Sequence, residues 1–473
     1  MSSKIDDDSG DMSTVPPGVL HAAAERSAKI VLVLGAGCSY PSPTHVPMAR
    51  ECSEKAYARL LLDKVLADGD CHDPTDLSVL ADTVYEKRNQ RQSELVERLP
   101  LDRFRRARYN DGYLIAAALL RENVVSSILT LNYDLAIEHA LTELSAFEVQ
   151  PIAAPEHVAQ MKAHNVVYLH RNVNEPNFES WVLRASAIEH EWKIGWESAM
   201  AQCLLTSPVV IFAGLGSRAQ VLVETIGRIR SLLDKVAAYQ VDPSSLDTNE
   251  FAAALALPEG SYIRLGWNEF MAILALRVSQ ADLADMRQSC STHIANEGLQ
   301  VRTLDPIFAE LGKLGIVELG MLRAEWILDK SEPYTPHDRH VSAMLADLII
   351  AADVAKEKTQ ATEARFDRGV VEFRNDMGAI AATMFATGKG QRSWVKVDQD
   401  IRQRVSSMKG RATPPTVAFI SGATGQPLDQ MVAPENVAFE ELPRDDVING
   451  PSAICLVNTR DFLNNPDIID ALL

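Results

Sequence analysis

The stretch Ala28-Lys-Ile-Val-Leu-Val-Leu34, followed at once by Gly35-Ala36-Gly37-Cys38-Ser39, is where the fold is read. An apolar run this short, rich in Val, Ile and Leu and cut off by glycine, predicts a strand covered on both faces. Three further runs share the form. Residues 124–131 run into Asn132-Tyr133-Asp134, residues 166–169 end in His170, and residues 209–213 end in Gly214-Leu215-Gly216-Ser217. Helical patterns lie between them, at 48–67 and 134–145 for example. This alternation predicts an α/β domain, a Rossmann-like doubly wound parallel sheet. Such sheets bind ligands outside the carboxyl ends of their strands, at the point where strand order reverses, so the four endings are where chemistry is expected.

Further along, a polar stretch at 241–261 leads into one more strand, 262–266, and a helix, 267–280, that close this domain. From about residue 292 the texture becomes mostly helical, clearest at 341–355 and 370–385, with two late strands at 416–421 and 453–457. The expected organisation is a disordered acidic leader over 1–22, a catalytic domain over 23–292 and a second, mostly helical α/β domain over 300–473, the boundary falling near 290–300.

Composition narrows the class. The chain has 473 residues, 47% hydrophobic and 23% charged, as in folded water-soluble proteins. Its formal charge of −18 argues against a surface built to hold nucleic-acid phosphates, so direct nucleic-acid binding is not expected. No apolar run approaches the roughly eighteen residues needed to span a bilayer, and the acidic start is unlike a signal peptide, which together predict a cytoplasmic protein. The six cysteines are scattered without a C-x-x-C pair, so neither a disulfide framework nor a zinc site is predicted. The basic stretch of Lys87, Arg88, Arg91, Arg98, Arg103, Arg105, Arg106 and Arg108 reads as a solvated face paired with Glu86, Glu94, Glu97 and Asp102. Gly388-Lys389-Gly390 lacks both the earlier glycine and the following Ser or Thr of a phosphate-binding loop.

A glycine turn after a buried strand lets the backbone approach a pyrophosphate. On its own Gly35-Ala36-Gly37 is also compatible with a plain strand-to-helix turn, and it lacks the third glycine of the dehydrogenase fingerprint. Taken together, Gly35-Ala36-Gly37-x-Ser39, Thr130-x-Asn132-x-Asp134, Leu169-His170 and Gly214-x-Gly216-Ser217 resemble, in order and spacing, the sirtuin family. The stretch from Leu129 to Asp134 is similar to the T-x-N-Y-D signature of the sirtuin-like domains of bacterial antiphage defence proteins, and the resemblance covers roughly residues 25–285. It implies NAD as bound substrate, with Gly35, Ala36, Gly37, Ser39, Thr130, Asp134, Gly214, Gly216 and Ser217 as cofactor contacts. It further implies Asn132 and His170 as the catalytic pair. Those residue types suit the reaction: breaking a glycosidic C–N bond passes through an oxocarbenium-like state, in which an amide can orient water or a ribose hydroxyl and an imidazole can accept a proton. Asp134 has a second reading, as a cap for the helix beside it.

Two departures stand out. The family usually has glycine after the catalytic histidine, whereas Arg171 follows here, with three outcomes open: a phosphate contact, a blocked entry or a side chain in solvent. The four-cysteine zinc ribbon of sirtuin deacylases has no counterpart, since residues 171–213 contain only Cys203. Without that module no zinc is expected and water becomes the implied nucleophile. The resemblance thus implies an NAD glycohydrolase (NADase) releasing nicotinamide and ADP-ribose, activated in phage infection to deplete NAD and abort growth. It also implies a homo-oligomer or a partner such as a hexameric motor ATPase. The competing reading is a non-catalytic NAD- or ADP-ribose-binding sensor or assembly subunit in which Arg171 has spoiled catalysis.

Overall fold

The computed structural model describes residues 12–191, 194–216, 219–233, 235–299, 303–327, 334, 336, 339–367, 370–386, 416–420 and 454–467. The chain divides into two compact units, Met1–Val278 and Ser279–Leu473.

The first unit is a Rossmann-like α/β fold around a seven-stranded parallel sheet. Its strands are β1 (Ile30–Leu34), β2 (Val125–Thr130), β3 (Pro151–Ile152), β4 (Asn165–Tyr168), β5 (Val209–Ala213), β6 (Ala237–Val241) and β7 (Tyr262–Ile263), in the spatial order β3-β4-β2-β1-β5-β6-β7. Strand β1 lies between β2 and β5, pairing Leu34 with Thr130 on one side and with Ala213 on the other. The chain first builds outward from β1 through β2 to β4 and then returns to its other side with β5. That reversal falls at the carboxyl ends of β1, β2 and β5, where sheets of this kind bind ligands.

All five residues of β1 are fully buried. Val31 and Val33 face a core shared with Val210, Phe212, Ala201, Leu222 and Phe251. Each such side chain contributes roughly 1.5–3 kcal/mol by leaving water, so a strand buried on both faces is among the most strongly determined parts of the fold. Around the sheet lie α1 (Pro17–Glu25), α2 (Ala49–Leu62), α3 (Leu77–Lys87), α4 (Ser93–Val96), α5 (Leu101–Arg105), α6 (Asp111–Arg121), α7 (Ala136–Glu143), α8 (Trp196–Leu204), α9 (Gln220–Leu232), α10 (Glu250–Ala254) and α11 (Trp267–Glu297). The division between the units falls inside α11.

The second unit carries α12 (Asp305–Leu311), α13 (Ile316–Ile327), α14 (Arg339–Lys358) and α15 (Thr459–Asn464), with strands β8 (Glu363–Asp367), β9 (Val370–Arg374), β10 (Ile380–Ala386), β11 (Thr416–Ile420) and β12 (Ile454–Asn458). The sheet runs β12-β11-β10-β9-β8, antiparallel from β8 to β10 and parallel from β10 to β12. Its core joins Met286 and Cys290 to Phe308, Leu319, Ile349, Phe373 and Phe462.

The structure departs from the sequence reading in three places. Residues 370–385, read as a helix, form the β9–β10 hairpin. Asn375 starts the turn, its Oδ1 accepting from the amides of Met377 and Ala379, and Gly378 takes the left-handed conformation at φ +75°. A side chain that captures local amides in this way competes directly with the helix. Strand β6 was not anticipated, because Ala-Ala-Tyr-Gln-Val has little of the Val/Ile signature. A helix, Pro17–Glu25, begins inside the stretch 1–22 read as a leader and buries Val19, Ala22 and Ala23, with proline in its first turn as helix starts favour. Residues 1–11, Gly388-Lys389-Gly390 and Ser217 lie outside the described residues.

Candidate active site

The two glycine turns after β1 and β5 lock together backbone to backbone. Gly35 N–H donates to Ala213 O at 2.9 Å and Gly37 N–H to Gly214 O at 3.0 Å. A Cβ on Gly35 would stand 2.5 Å from Gly214 O, and one on Gly214, whose φ is +67°, would stand 2.5 Å from the Cys38 amide. Residues 36–39 then make a single 3-10 turn. Ala36, Gly37 and Gly214 are half-buried, and of the four turn glycines Gly216 is the exposed one, with open space where its Cβ would be. Gly214→Ala should therefore lower the melting temperature: the left-handed conformation alone costs about 1–3 kcal/mol for a residue with a Cβ, before the contact with Cys38 is added. Thermal unfolding checks this, and an unchanged melting point would show that the turn can relax.

Under the glycine turns sits a closed set of polar side chains. Asn132 Nδ2 donates to Gly35 O at 3.0 Å, to Tyr113 OH at 3.0 Å and towards Ser39 Oγ at 3.2 Å. Because a carbonyl only accepts, the amide must turn its nitrogen to Gly35. Asn132 Oδ1 then has no hydrogen-bond partner among the described residues. Ser39, fully buried, donates to Asp134 Oδ2 at 2.8 Å, which leaves the 2.7 Å contact with Tyr113 to be donated by the phenol. Asp134 Oδ1 accepts from the Ala136 amide at 3.0 Å at the start of α7, as the cap reading expects, and Oδ2 holds Ser39. Burial pushes the Asp134 carboxyl up, while the donors Ser39 and Ala136 pull it back. Thr130 Oγ1 accepts from the Asn132 amide at 3.1 Å. Among the residues read as cofactor contacts, Ser39, Thr130 and Asp134 thus spend their side chains holding Asn132 in place.

His170 follows β4, half-buried. Burial pushes its pKa down to about 4, the Arg171 charge adds to the shift, and a hydrogen bond with the Leu131 backbone opposes it. The imidazole is therefore neutral near pH 7 and is tied to the residue preceding Asn132. Its ring centroid lies 6.2 Å from that of Tyr133.

Of the three outcomes left open for Arg171, the structure excludes a side chain in solvent. Arg171 takes φ +73°, the conformation that glycine adopts freely, and its Nη1 donates to Glu197 Oε1 at 3.1 Å with the guanidinium 5.1 Å from the Trp196 ring centroid. The two side chains of the pair are 10% and 8% exposed, so the charge is absorbed inside the fold.

Two residues of the site escaped the sequence reading. Tyr113 belongs to α6, whose Ala- and Leu-rich sequence reads as core. Asn110 caps that helix by accepting from the Tyr113 amide and donates from Nδ2 to Cys38 O at 2.8 Å, joining α6 to the glycine turn. The available signal was Asn110-Asp111-Gly112, a helix-start pattern. The basic stretch is paired as a surface face: Arg88 with Glu94 at 2.5 Å and Arg105 with Asp102 at 3.7 Å, while Asp70 and Asp63 supply the carboxylates for Lys87 and Arg98. Among the described residues no group of three or more His, Cys, Asp or Glu is placed to hold a metal ion, and no helix is long and apolar enough to cross a membrane.

Fold and site together define a Rossmann-like α/β protein with an organised polar cluster at its strand-order reversal. Solved structures similar to the chain include a Sir2 homologue with a histidine replaced, in complex with ADP-ribose, at 16% identity over 57% of this chain and 97% of that one, TM-score 0.33. A Sir2 homologue in complex with NAD matches at 15% identity over 56% of this chain and 94% of that one, TM-score 0.32. No family model and no curated protein matches the chain.

Proposed function

We propose that the first unit binds NAD and hydrolyses it to nicotinamide and ADP-ribose. The observation that carries this reading is the placement, at the ends of the paired strands β2 and β4, of an amide fixed through its nitrogen and an imidazole bonded to the backbone of Leu131. Asn132 offers Oδ1 to orient a water or a ribose hydroxyl, and His170 can accept the proton that the attacking oxygen loses. The exposed backbone at Gly216, at the end of the paired turns, suits a pyrophosphate, which needs close approach more than charge. The sensor reading rests on Arg171 disturbing the site; its ion pair with Glu197 counts against that, while its charge still acts on His170. Following the resemblance to antiphage sirtuin-like proteins, the reaction depletes cellular NAD on infection, and the second unit or a partner protein holds it off until then.

The test is turnover: the full chain, alone and with candidate activators, is incubated with NAD and nicotinamide is measured. Nicotinamide release supports hydrolysis. NAD binding without release under any condition would establish the sensor reading instead.

The pH profile supplies a second check. A neutral His170 acting as base loses function as it protonates, so kcat/KM should hold through pH 6 and fall only as pH drops towards about 4. A limb centred near 6.5 would contradict the role assigned to this imidazole. Stability follows the same sign. The folded pKa lies below the unfolded value of 6.5, so the unfolded chain takes up the proton first. The stability present above pH 6.5 therefore declines between 6.5 and 4 and levels off below.

A further inference from the structure

Residues 170–182, which follow β4, form a loop whose ends meet at His170. Val182 N–H donates to His170 O at 3.4 Å, Val173 N–H to Tyr133 O at 2.9 Å, and Tyr133 OH to Val182 O at 2.8 Å. Trp181, 2% exposed, stacks on Tyr133 with ring centroids 4.9 Å apart and planes 12° from parallel. Tyr133 in turn lies beside the His170 imidazole, and Phe104 backs it at 6.3 Å. The flank of His170 is thus walled by stacked rings.

The wall is anchored from outside. Gln92 Nε2 donates to the carbonyls of Phe178 at 2.7 Å and Trp181 at 2.8 Å, while the Glu179 carboxylate accepts from the amides of Gln92 and Ser93 at 2.9 and 3.1 Å. The Trp181 indole donates to Glu175 O at 3.2 Å, closing the loop on itself. Such bonding is more than a surface connection needs. It holds a large aromatic group rigidly on one side of the proposed base.

We propose that the Trp181–Tyr133 stack is the wall that restricts the acceptor of the ADP-ribosyl group to water, making Trp181 a specificity-determining residue. This rests on the hydrolysis proposed above. In that reaction the bond from ribose C1′ to the nicotinamide nitrogen breaks with its electron pair leaving on nicotinamide. An acceptor oxygen forms the new C1′–O bond and its proton passes to His170. Tyr133 is the ring beside the imidazole and Trp181 holds it there, so an acceptor with a carbon chain needs Tyr133 to give way, whereas a water does not.

The experiment compares wild type, Trp181→Ala and Glu179→Gln, all as the full chain, reacting with NAD in the presence of methanol or 1-butanol. The alkyl-ADP-ribose to ADP-ribose ratio is read for each. For 1-butanol the ratio should rise about tenfold or more in Trp181→Ala, less in Glu179→Gln, and the methanol ratio should change least. A second readout needs no turnover: diethyl pyrocarbonate labelling of His170, mapped by mass spectrometry, should speed up in both variants. Should Trp181→Ala fail to fold, Glu179→Gln carries the comparison alone. A wild-type protein that transfers to 1-butanol as readily as to water, or variants whose ratio and labelling match wild type, would overturn the proposal. If the full chain releases no nicotinamide, the assigned reaction is at fault, and the labelling still decides the wall: faster labelling upholds it and unchanged labelling rejects it.

Discussion

Asn132→Ala and His170→Ala should each lower nicotinamide release from NAD by about two to four powers of ten, the range over which a positioned proton acceptor or orienting group contributes. The loss should appear in kcat. His170→Ala leaves the glycine turns untouched, so its dissociation constant for NAD should change far less, whereas Asn132→Ala also removes the hydrogen bond to Gly35 O and should weaken NAD binding more. Asn132→Asp is the sharper probe, because a carboxylate cannot donate to Gly35 O and would face that carbonyl and buried Asp134 with like charge. It should be as inactive as Asn132→Ala. Single-turnover kinetics with titration calorimetry separate the effects. Wild-type turnover in both alanine variants would remove Asn132 and His170 from the mechanism.

Arg171→Ala should destabilise the first unit by about 3–5 kcal/mol, the cost of leaving a buried carboxylate without its partner. Glu197 is that carboxylate, with 8% of its side chain exposed. Arg171→Gly leaves the same charge stranded but relieves the left-handed backbone at φ +73°, worth about 1–3 kcal/mol, and should therefore be the milder substitution. Arg171→Ala combined with Glu197→Ala should cost less than the sum of the two singles, as coupled partners do. Urea unfolding of wild type, the three single variants and the double variant measures all of this. Equal stability of wild type and Arg171→Ala would mean the ion pair contributes nothing.

The strands that carry the site were readable because a strand buried on both faces leaves no room for polar residues, so its end is marked by the first polar group. That is how Asn132, His170 and the glycine turns could be located together. What surrounds them was not readable. Tyr113 reaches Ser39 from a helix whose other residues are core, and nothing in Gly112-Tyr113-Leu114 distinguishes a hydroxyl inside a polar cluster from one at the surface. Arg171 meets a partner 26 residues further on, a pairing that depends on where α8 lies and leaves no trace in local spacing. The hairpin at 370–386 was misread for a different reason. Its apolar residues suit either period, and the deciding signal was the four-residue turn Asn375 to Gly378 rather than the flanking pattern.

The placement of the unit division within α11 bears on how the protein can be taken apart. A protease meets no linker between Trp267 and Glu297, and a gene cut at codon 278 would split one continuous helix. Each fragment would keep an apolar helix end, Phe270 and Leu274 on one side and Met286 and Cys290 on the other, with half its hydrogen-bonded length missing. A first unit expressed alone should therefore be extended through Glu297, so that the helix carrying Trp267 against Tyr113 stays whole.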